Sequence, residues 1–310
     1  MRAFVLPDFE RQPTLADIPT PEAGPGEVLV RVRASSLNGF DLSVAAGRLQ
    51  GMMEYRFPVV VGKDFAGTIA AVGADATRFA VGDPVFGVVM KPYLHDGAFG
   101  EYLAVAEGYG ITRMPEGLDV YRAGGLGLAG AAAWDSVEAV APAAGEAILI
   151  SGTSGGVGAF AVQLAAARGA MVIGTAKPGE DSAFVRNLGA GHVVDYTDDL
   201  AKQVRAIRPG GVDGMIHLAG DAPQLADLLV PGGRFASTLG VSSDQLVGRD
   251  VRATAVMANP EATTLDRLAA DVVAGRLRAP IQRTYRLDEI GQAMADFAAG
   301  TRGKLAVSVS

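Results

Sequence analysis

Ile148-Leu149-Ile150-Ser151-Gly152-Thr153-Ser154-Gly155-Gly156-Val157-Gly158 is the stretch on which the reading of the chain turns. Ala147 to Ile150 is a short run without a polar residue, the pattern of a strand buried on both faces. Val157, Ala161, Leu164 and Ala165 then mark one face of a helix that ends at Gly169. Between strand and helix, glycines let the backbone come close to a pyrophosphate. The helix N-terminus offers the anion free N–H groups and the positive end of its dipole. A glycine pattern alone is weak. Set between a buried strand and an amphipathic helix, with more crossover units to follow, it has the context of a dinucleotide site. A tight turn without a ligand is the alternative.

Downstream, strands and helices alternate. Met171 to Ile173 reads as a strand, Ala183 to Leu188 as a helix, and His192 to Val194, Met215 to Ala219 and Arg234 to Leu239 as further strands. Such alternation implies right-handed crossovers and a doubly wound parallel sheet. Upstream, Val28 to Arg33 alternates apolar and polar residues, and short runs follow at 59–61, 65–72 and 85–89. Turn signals at Pro25-Gly26, Gly73, Gly82-Asp83-Pro84 and Asp96-Gly97 separate them, which suggests a barrel or sandwich. Past Ala255 the pattern predicts a helix over 264–274 and an extended piece over 281–285. Asp288 reads as the N-cap of a helix over 289–298 stopped by Gly300, and a strand is expected over 304–309. The expected plan is an α/β chain. Residues 1–118 and 258–310 form a discontinuous β domain, and residues 119–257 form the inserted parallel-sheet domain.

Composition narrows the function. The chain has 310 residues, about half of them hydrophobic, and a net charge of -7 from 27 basic and 34 acidic residues. That balance argues against a nucleic-acid partner. There is no cysteine, so thiol nucleophiles, disulfides and thiolate metal sites are excluded. No apolar run reaches a membrane-spanning length and no leader pattern is visible, so a cytoplasmic protein without a membrane partner is expected.

The second strand is followed by Thr175-Ala176-Lys177. NAD sites place an acid there to bond the ribose 2′-hydroxyl. Here Glu180 and Asp181 come only after Pro178-Gly179, and Lys177 offers a cation to a 2′-phosphate. This favours NADPH, the alternative being an ordinary surface lysine.

The glycine loop, followed by Gln163-Leu164-Ala165, resembles the cofactor loop of the zinc-independent quinone oxidoreductases of the medium-chain dehydrogenase/reductase superfamily. Nearly the whole chain is similar to that family. The segments 36–41 (Ser-Leu-Asn-Gly-Phe-Asp), 62–67 (Gly-Lys-Asp-Phe-Ala-Gly), 82–87 (Gly-Asp-Pro-Val-Phe-Gly) and 97–102 (Gly-Ala-Phe-Gly-Glu-Tyr) carry the likeness in order. So do Leu188-Gly189-Ala190, Asp195-Tyr196 and the ending Gly303-Lys304-Leu305.

The resemblance implies a GroES-like β-barrel domain joined to a Rossmann domain, with substrate in the cleft between. It implies that Ser154, Gly155, Gly156 and Val157 hold the pyrophosphate, with Thr153 also at the cofactor. Thr175, Lys177 and Tyr196 would surround the adenosine ribose, while Leu218, Ala219, Gly220, Leu239 and Gly240 line the cofactor. Asn38 and Lys304 would also contact the cofactor, and Asn38 and Asp41 would be catalytic. Turn chemistry is the other reading of that Asn and Asp. Zinc relatives carry a Cys at the position of Asn38 and Gly-His-Glu at 62–64, so no metal is expected. Where several family members have tyrosines shortly after the Asn-x-x-Asp turn, this chain has Ser43 and Leu49, which leaves the substrate open.

Among other constellations, His95, His192 and His217 are far apart and read as structural. Trp134, with Val137, reads as an interior anchor of a helix. Without a metal Lewis acid, alcohol oxidation is disfavoured, and conjugated carbonyls become the natural hydride acceptors. The expected activity is NADPH-dependent reduction of a quinone or enone. The alternatives are an enoyl or alkenal reductase and a cofactor-sensing binding protein. The edge segment Val251 to Met257 suggests a homodimer.

Overall fold

A computed structural model describes residues 1–309. The chain divides into two compact units, Met1–Leu128 with Pro260–Ser310, and Ala129–Asn259.

The first unit is mostly β. Its N-terminal part runs β1 (Arg2–Leu6), β2 (Thr14–Asp17), β3 (Glu27–Ser36), α1 (Gly39–Ala45), β4 (Glu54–Tyr55), β5 (Val59–Val60), β6 (Asp64–Val72), β7 (Pro84–Val88), β8 (Tyr93–Leu94), β9 (Tyr102–Ala106), β10 (Ile111–Arg113) and α2 (Val120–Gly124). Helix α3 (Gly127–Val140) follows and crosses the division at Leu128.

The second unit continues with β11 (Ala147–Ile150), α4 (Gly156–Ala167), β12 (Met171–Thr175), α5 (Glu180–Asn187), β13 (His192–Val194), α6 (Leu200–Ile207), β14 (Val212–His217), α7 (Ala222–Ala226), β15 (Leu229–Ser237) and β16 (Val251–Ala255). The chain then returns to the first unit with α8 (Ala262–Val273), β17 (Ile281–Arg286), α9 (Ile290–Ala299) and β18 (Lys304–Ser308).

In the first unit the longest sheet runs β10-β7-β6-β3-β18-β17, with β9 also paired to β3. Its alternating strands pack Val28, Val30, Val32, Phe65 and Ile69 into one buried cluster with Phe99, Leu305 and Val307. In β3 the expected alternation appears as buried Val28, Val30 and Val32 between more exposed neighbours. The last strand, β18, is integral to this sheet, with Ala306 opposite Ser36 and Val307 opposite Ser35.

In the second unit six parallel strands run in the order β13-β12-β11-β14-β15-β16. Strand order reverses between β11 and β14, the switch point at which open α/β sheets bind ligands beyond the carboxyl ends of their strands. Strand β11 is wholly buried, as its uninterrupted apolar run requires.

Three expectations change. The domain boundary lies near residue 128, not 118, and the return is at 259/260. Helix α2 packs on β3 and β6, and a Cβ on Gly124 would stand only 3.1 Å from the Ala34 backbone. The expected boundary after residue 118 therefore marks a change of local pattern, while packing carries the first unit further. Asp288 is not the N-cap of the last helix. A 3₁₀ turn over Leu287–Glu289 leads into α9, and Glu289 accepts the Arg286 N–H at 2.8 Å while Asp288 pairs with the Arg286 guanidinium. Trp134 is not an interior anchor. It is partly exposed on α3, with the Arg168 guanidinium 5.7 Å from its ring, and Val137 takes the buried place.

Candidate functional site

The carboxyl edge of the parallel sheet is fastened laterally from strand to strand. Thr153 Oγ1 donates to the Thr175 carbonyl at 2.6 Å, and Thr175 Oγ1 accepts from the Gly152 N–H at 3.1 Å. This reciprocal pair locks the loop after β11 to the end of β12. Ser151 Oγ accepts from the N–H groups of Leu218 and Ala219 at 3.0 and 3.2 Å, which ties the same loop to the end of β14. His217 and Ser237 then join β14 to β15 through a 3.0 Å contact of Nδ1 with Oγ. Thr153, Thr175, His217 and Ser237 are all buried.

Within this edge the glycines have separate tasks. Gly152 has φ +66°, a conformation that L side chains rarely adopt. A Cβ on Gly158 would meet the Gly152 carbonyl oxygen at 2.3 Å, so α4 can start close against the loop only with glycine there. By contrast, little would crowd a Cβ on Gly155 and nothing would meet one on Gly240. The loop thus pairs tight anchoring behind with open space in front. With the first N–H groups of α4 lacking intrahelical partners, these residues fit a dinucleotide pyrophosphate.

At the β12–β13 end, Thr175 pairs with Val194, so Lys177 and Tyr196 both lie two residues beyond paired positions on adjacent strands. Lys177 is exposed and Tyr196 is half exposed. Leu239 is also exposed, just beyond β15. Leu218, Ala219 and Gly220 follow β14, and the Gly220 φ of +91° turns the chain sharply there.

The first unit holds a buried charged cluster. Asp64, at the start of β6, is its hub. Its Oδ2 accepts from Ser36 Oγ at 2.8 Å and Asn38 Nδ2 at 2.9 Å, and its Oδ1 accepts from the Leu128 N–H at 2.7 Å. Lys304, at the start of β18, reaches the Leu37 carbonyl at 2.9 Å, Asn38 Oδ1 at 2.5 Å and Asp64 Oδ2 at 3.4 Å. Both ends of the Asn38 amide are therefore engaged within the protein. Asp41 Oδ2 accepts the Asn38 backbone N–H at 2.8 Å, while Oδ1, also buried, has no partner among the described residues. Burial, reinforced by the charge of Asp64, pushes the Asp41 carboxyl up to about 7; Lys304, the Asn38 N–H and Lys63 pull the other way. Lys63 donates to the Val89 carbonyl, and burial holds its ammonium below the usual lysine range.

The sequence-predicted residues thus fall into two groups. The structure brings Asn38, Asp41 and Lys304 together in the first unit. It brings the glycine loop, Thr175 and residues 218–220 and 239–240 to the sheet edge of the second. Lys304, expected at the cofactor, is buried in the charged cluster. The reading of the sequence missed Asp64 as hub and missed Ser151, His217 and Ser237 as ties. A signal was present for the last three: each is a polar residue at or next to the carboxyl end of a strand of the parallel sheet. His217 and His192 are in strands as expected, and His95 Nδ1 sits 2.8 Å from the Arg56 carbonyl.

Comparison with known proteins places these features in context. Residues 24–116 match the alcohol dehydrogenase GroES-like domain, and residues 188–307 match the zinc-binding dehydrogenase domain. Despite the second description, no group of three His, Cys, Asp or Glu among the described residues converges to hold a metal ion. The quinone oxidoreductase from Coxiella burnetii superposes with a TM-score of 0.91 at 29% identity, covering 100% of this chain and 99% of that one. A mitochondrial NAD(P)H oxidoreductase, RTN4IP1 of Danio rerio, is 27% identical over 92% of this chain and 84% of its own length. A mycocerosic acid synthase-like polyketide synthase of Mycobacterium tuberculosis is 38% identical over 217 residues, 68% of this chain. The chain spans only about 10% of the length of that relative. The fold is α/β, a GroES-like domain with a Rossmann-like parallel-sheet domain.

Proposed function

We propose that the chain, a member of the medium-chain dehydrogenase/reductase superfamily, is a nicotinamide-dependent oxidoreductase that uses NADPH to reduce a quinone or other α,β-unsaturated carbonyl without a metal. The observation that carries this reading is the carboxyl edge of the parallel sheet. A glycine loop is anchored behind and open in front, and an exposed Lys177 stands past β12 where NAD sites place an acid. A bound NADPH supplies the hydride. The residues of this chain bind and orient it: 153–157 at the pyrophosphate, Thr175, Lys177 and Tyr196 at the ribose, and 218–220 with 239–240 along its length.

A conjugated carbonyl spreads the charge of the incoming hydride onto its oxygen, so orientation and exclusion of water carry much of the task. The closing proton comes from solvent. Asn38 and Asp41 enter this proposal as positioning residues. Both ends of the Asn38 amide are engaged by Lys304 and Asp64, and Asp41 braces the Asn38 backbone.

A second reading, reduction of an unsaturated thioester, draws support from the 38% identity to a segment of a polyketide synthase. The test is a panel of quinones, alkenals and enoyl thioesters, each with NADPH and with NADH, followed at the nicotinamide absorbance. Fastest turnover of quinones with NADPH is the expected result. Preference for thioesters selects the second reading. Tight cofactor binding with no turnover of any acceptor identifies a cofactor-sensing protein.

A further inference from the structure

We propose that His217 and Ser237 are positioning residues for the cofactor: together they fix the spacing of loops 218–220 and 239–241, with His217 held as its neutral Nε2–H tautomer. The proposal rests on the cofactor reading above.

The hydrogen bonds leave one arrangement. His217 Nε2 lies 3.1 Å from the Gly220 carbonyl oxygen. A carbonyl only accepts, so Nε2 carries a proton. On the other side, Ser237 Oγ accepts from the N–H groups of Leu239 at 3.1 Å and Val241 at 3.4 Å. These two donors fill both lone pairs of the hydroxyl. Its own proton then points to His217 Nδ1, 3.0 Å away, and Nδ1 accepts. The result is one directed chain: Leu239 and Val241 to Ser237, Ser237 to His217, His217 to Gly220. Both side chains are buried, and the imidazole lies 5.3 Å from the Phe235 ring.

The loops need such a tie. Gly220 and Gly240 have φ of +91° and +78°, and glycine gives a loop more conformational freedom than any other residue. Around Gly240 there is open space, so side-chain packing does not restrain it. A histidine that merely filled the core would not require this directed pattern.

Half-replacements dissect the pair. His217→Gln keeps an amide donor near the place of Nε2 and loses the acceptor for Ser237. His217→Asn keeps an acceptor near the place of Nδ1 and loses the donor to Gly220. Ser237→Ala removes the hub of the second loop. In direct titration of NADPH without substrate, each variant should bind about fivefold more weakly, the worth of one hydrogen bond. Ser237→Ala with His217→Gln should bind no more weakly than Ser237→Ala alone, because both break the same link.

Two readouts need no cofactor. In the cofactor-free wild type, ¹⁵N spectra of the histidine rings should find Nδ1 of His217 unprotonated, with a resonance that moves in Ser237→Ala. Amide hydrogen exchange at Leu239 and Val241 should accelerate in that variant. A protonated Nδ1, unchanged exchange, or losses that add in the double variant would overturn the proposal. Failure of the wild type to bind either nicotinamide dinucleotide would overturn the cofactor reading and the proposal with it. That outcome is distinct, because the spectrum and the exchange report the pair independently.

Discussion

Lys304 holds its ammonium 2.5 Å from Asn38 Oδ1 and 3.4 Å from Asp64 Oδ2, with Lys304 only 2% exposed and Asp64 fully buried. Removing one partner of a buried ion pair leaves the other charge uncompensated, at a cost of about 3–5 kcal/mol. Lys304→Met should therefore lower unfolding stability by that order in a urea titration. Lys304→Arg, which keeps the charge but not the compact ammonium, should lose less. Equal stability of Lys304→Met and wild type would refute the pairing.

Asp41 sets a pH dependence. An unperturbed aspartate titrates near 3.8, and in the folded protein burial brings Asp41 to about 7. The folded state thus holds this proton more tightly than the unfolded chain. The stability it contributes is full below about pH 4 and is lost as pH rises through 7, on the order of 4 kcal/mol across that window. Asp41→Asn cannot ionise. Its melting temperature should fall less between pH 5 and pH 8 than that of the wild type, as calorimetry at matched ionic strength can measure.

In the proposed function Lys177 bears on cofactor choice. A charged hydrogen bond to a 2′-phosphate contributes about 1.5–3 kcal/mol. Lys177→Ala should raise the KM for NADPH by roughly ten- to a hundredfold and leave the NADH value nearly unchanged. The maximal rate should change little, since the contact is the same in ground and transition states. Parallel losses for both cofactors would make Lys177 an ordinary surface lysine.

Metal independence is the expectation from the donor set. The positions that carry ligand types in zinc relatives hold Asn38, Lys63 and Asp64, and the Lys304 ammonium contacts two of them. Elemental analysis should find no stoichiometric zinc, and a strong chelator should leave turnover intact. Activity lost to the chelator and restored by zinc would contradict this.

Strand β16 ends the parallel sheet with one edge unpaired among the described residues, and Met257 just beyond it is 87% exposed. An open edge of this kind pairs readily with a two-fold mate. Light scattering at micromolar concentration should give twice the chain mass, and Met257→Glu should shift the population toward single chains. A wild type with the mass of one chain removes the idea.

What could be read from sequence depended on range. The strands over 147–150 and 192–194 were legible because apolar runs bounded by turn residues are local signals. The glycine loop was legible for the same reason. Asp64 as hub was not, because its partners Ser36 and Asn38, Leu128 and Lys304 come from three distant places in the chain. The misplaced cap at Asp288 was a local signal overridden by another, the Arg286–Glu289 bond one turn away.

The pairing of β3 with β18 also bears on how the chain is made. Asn38 and Lys304 are separated by 266 positions, whereas the parallel-sheet unit is contiguous from 129 to 259. Contacts between distant segments form only after the intervening loop is closed. During synthesis the parallel-sheet unit can complete itself while β3 still lacks a neighbour. The amide of Asn38 takes its final orientation only when β18 arrives, so a ribosome-bound chain has a finished glycine loop before it has a finished Asn38 turn.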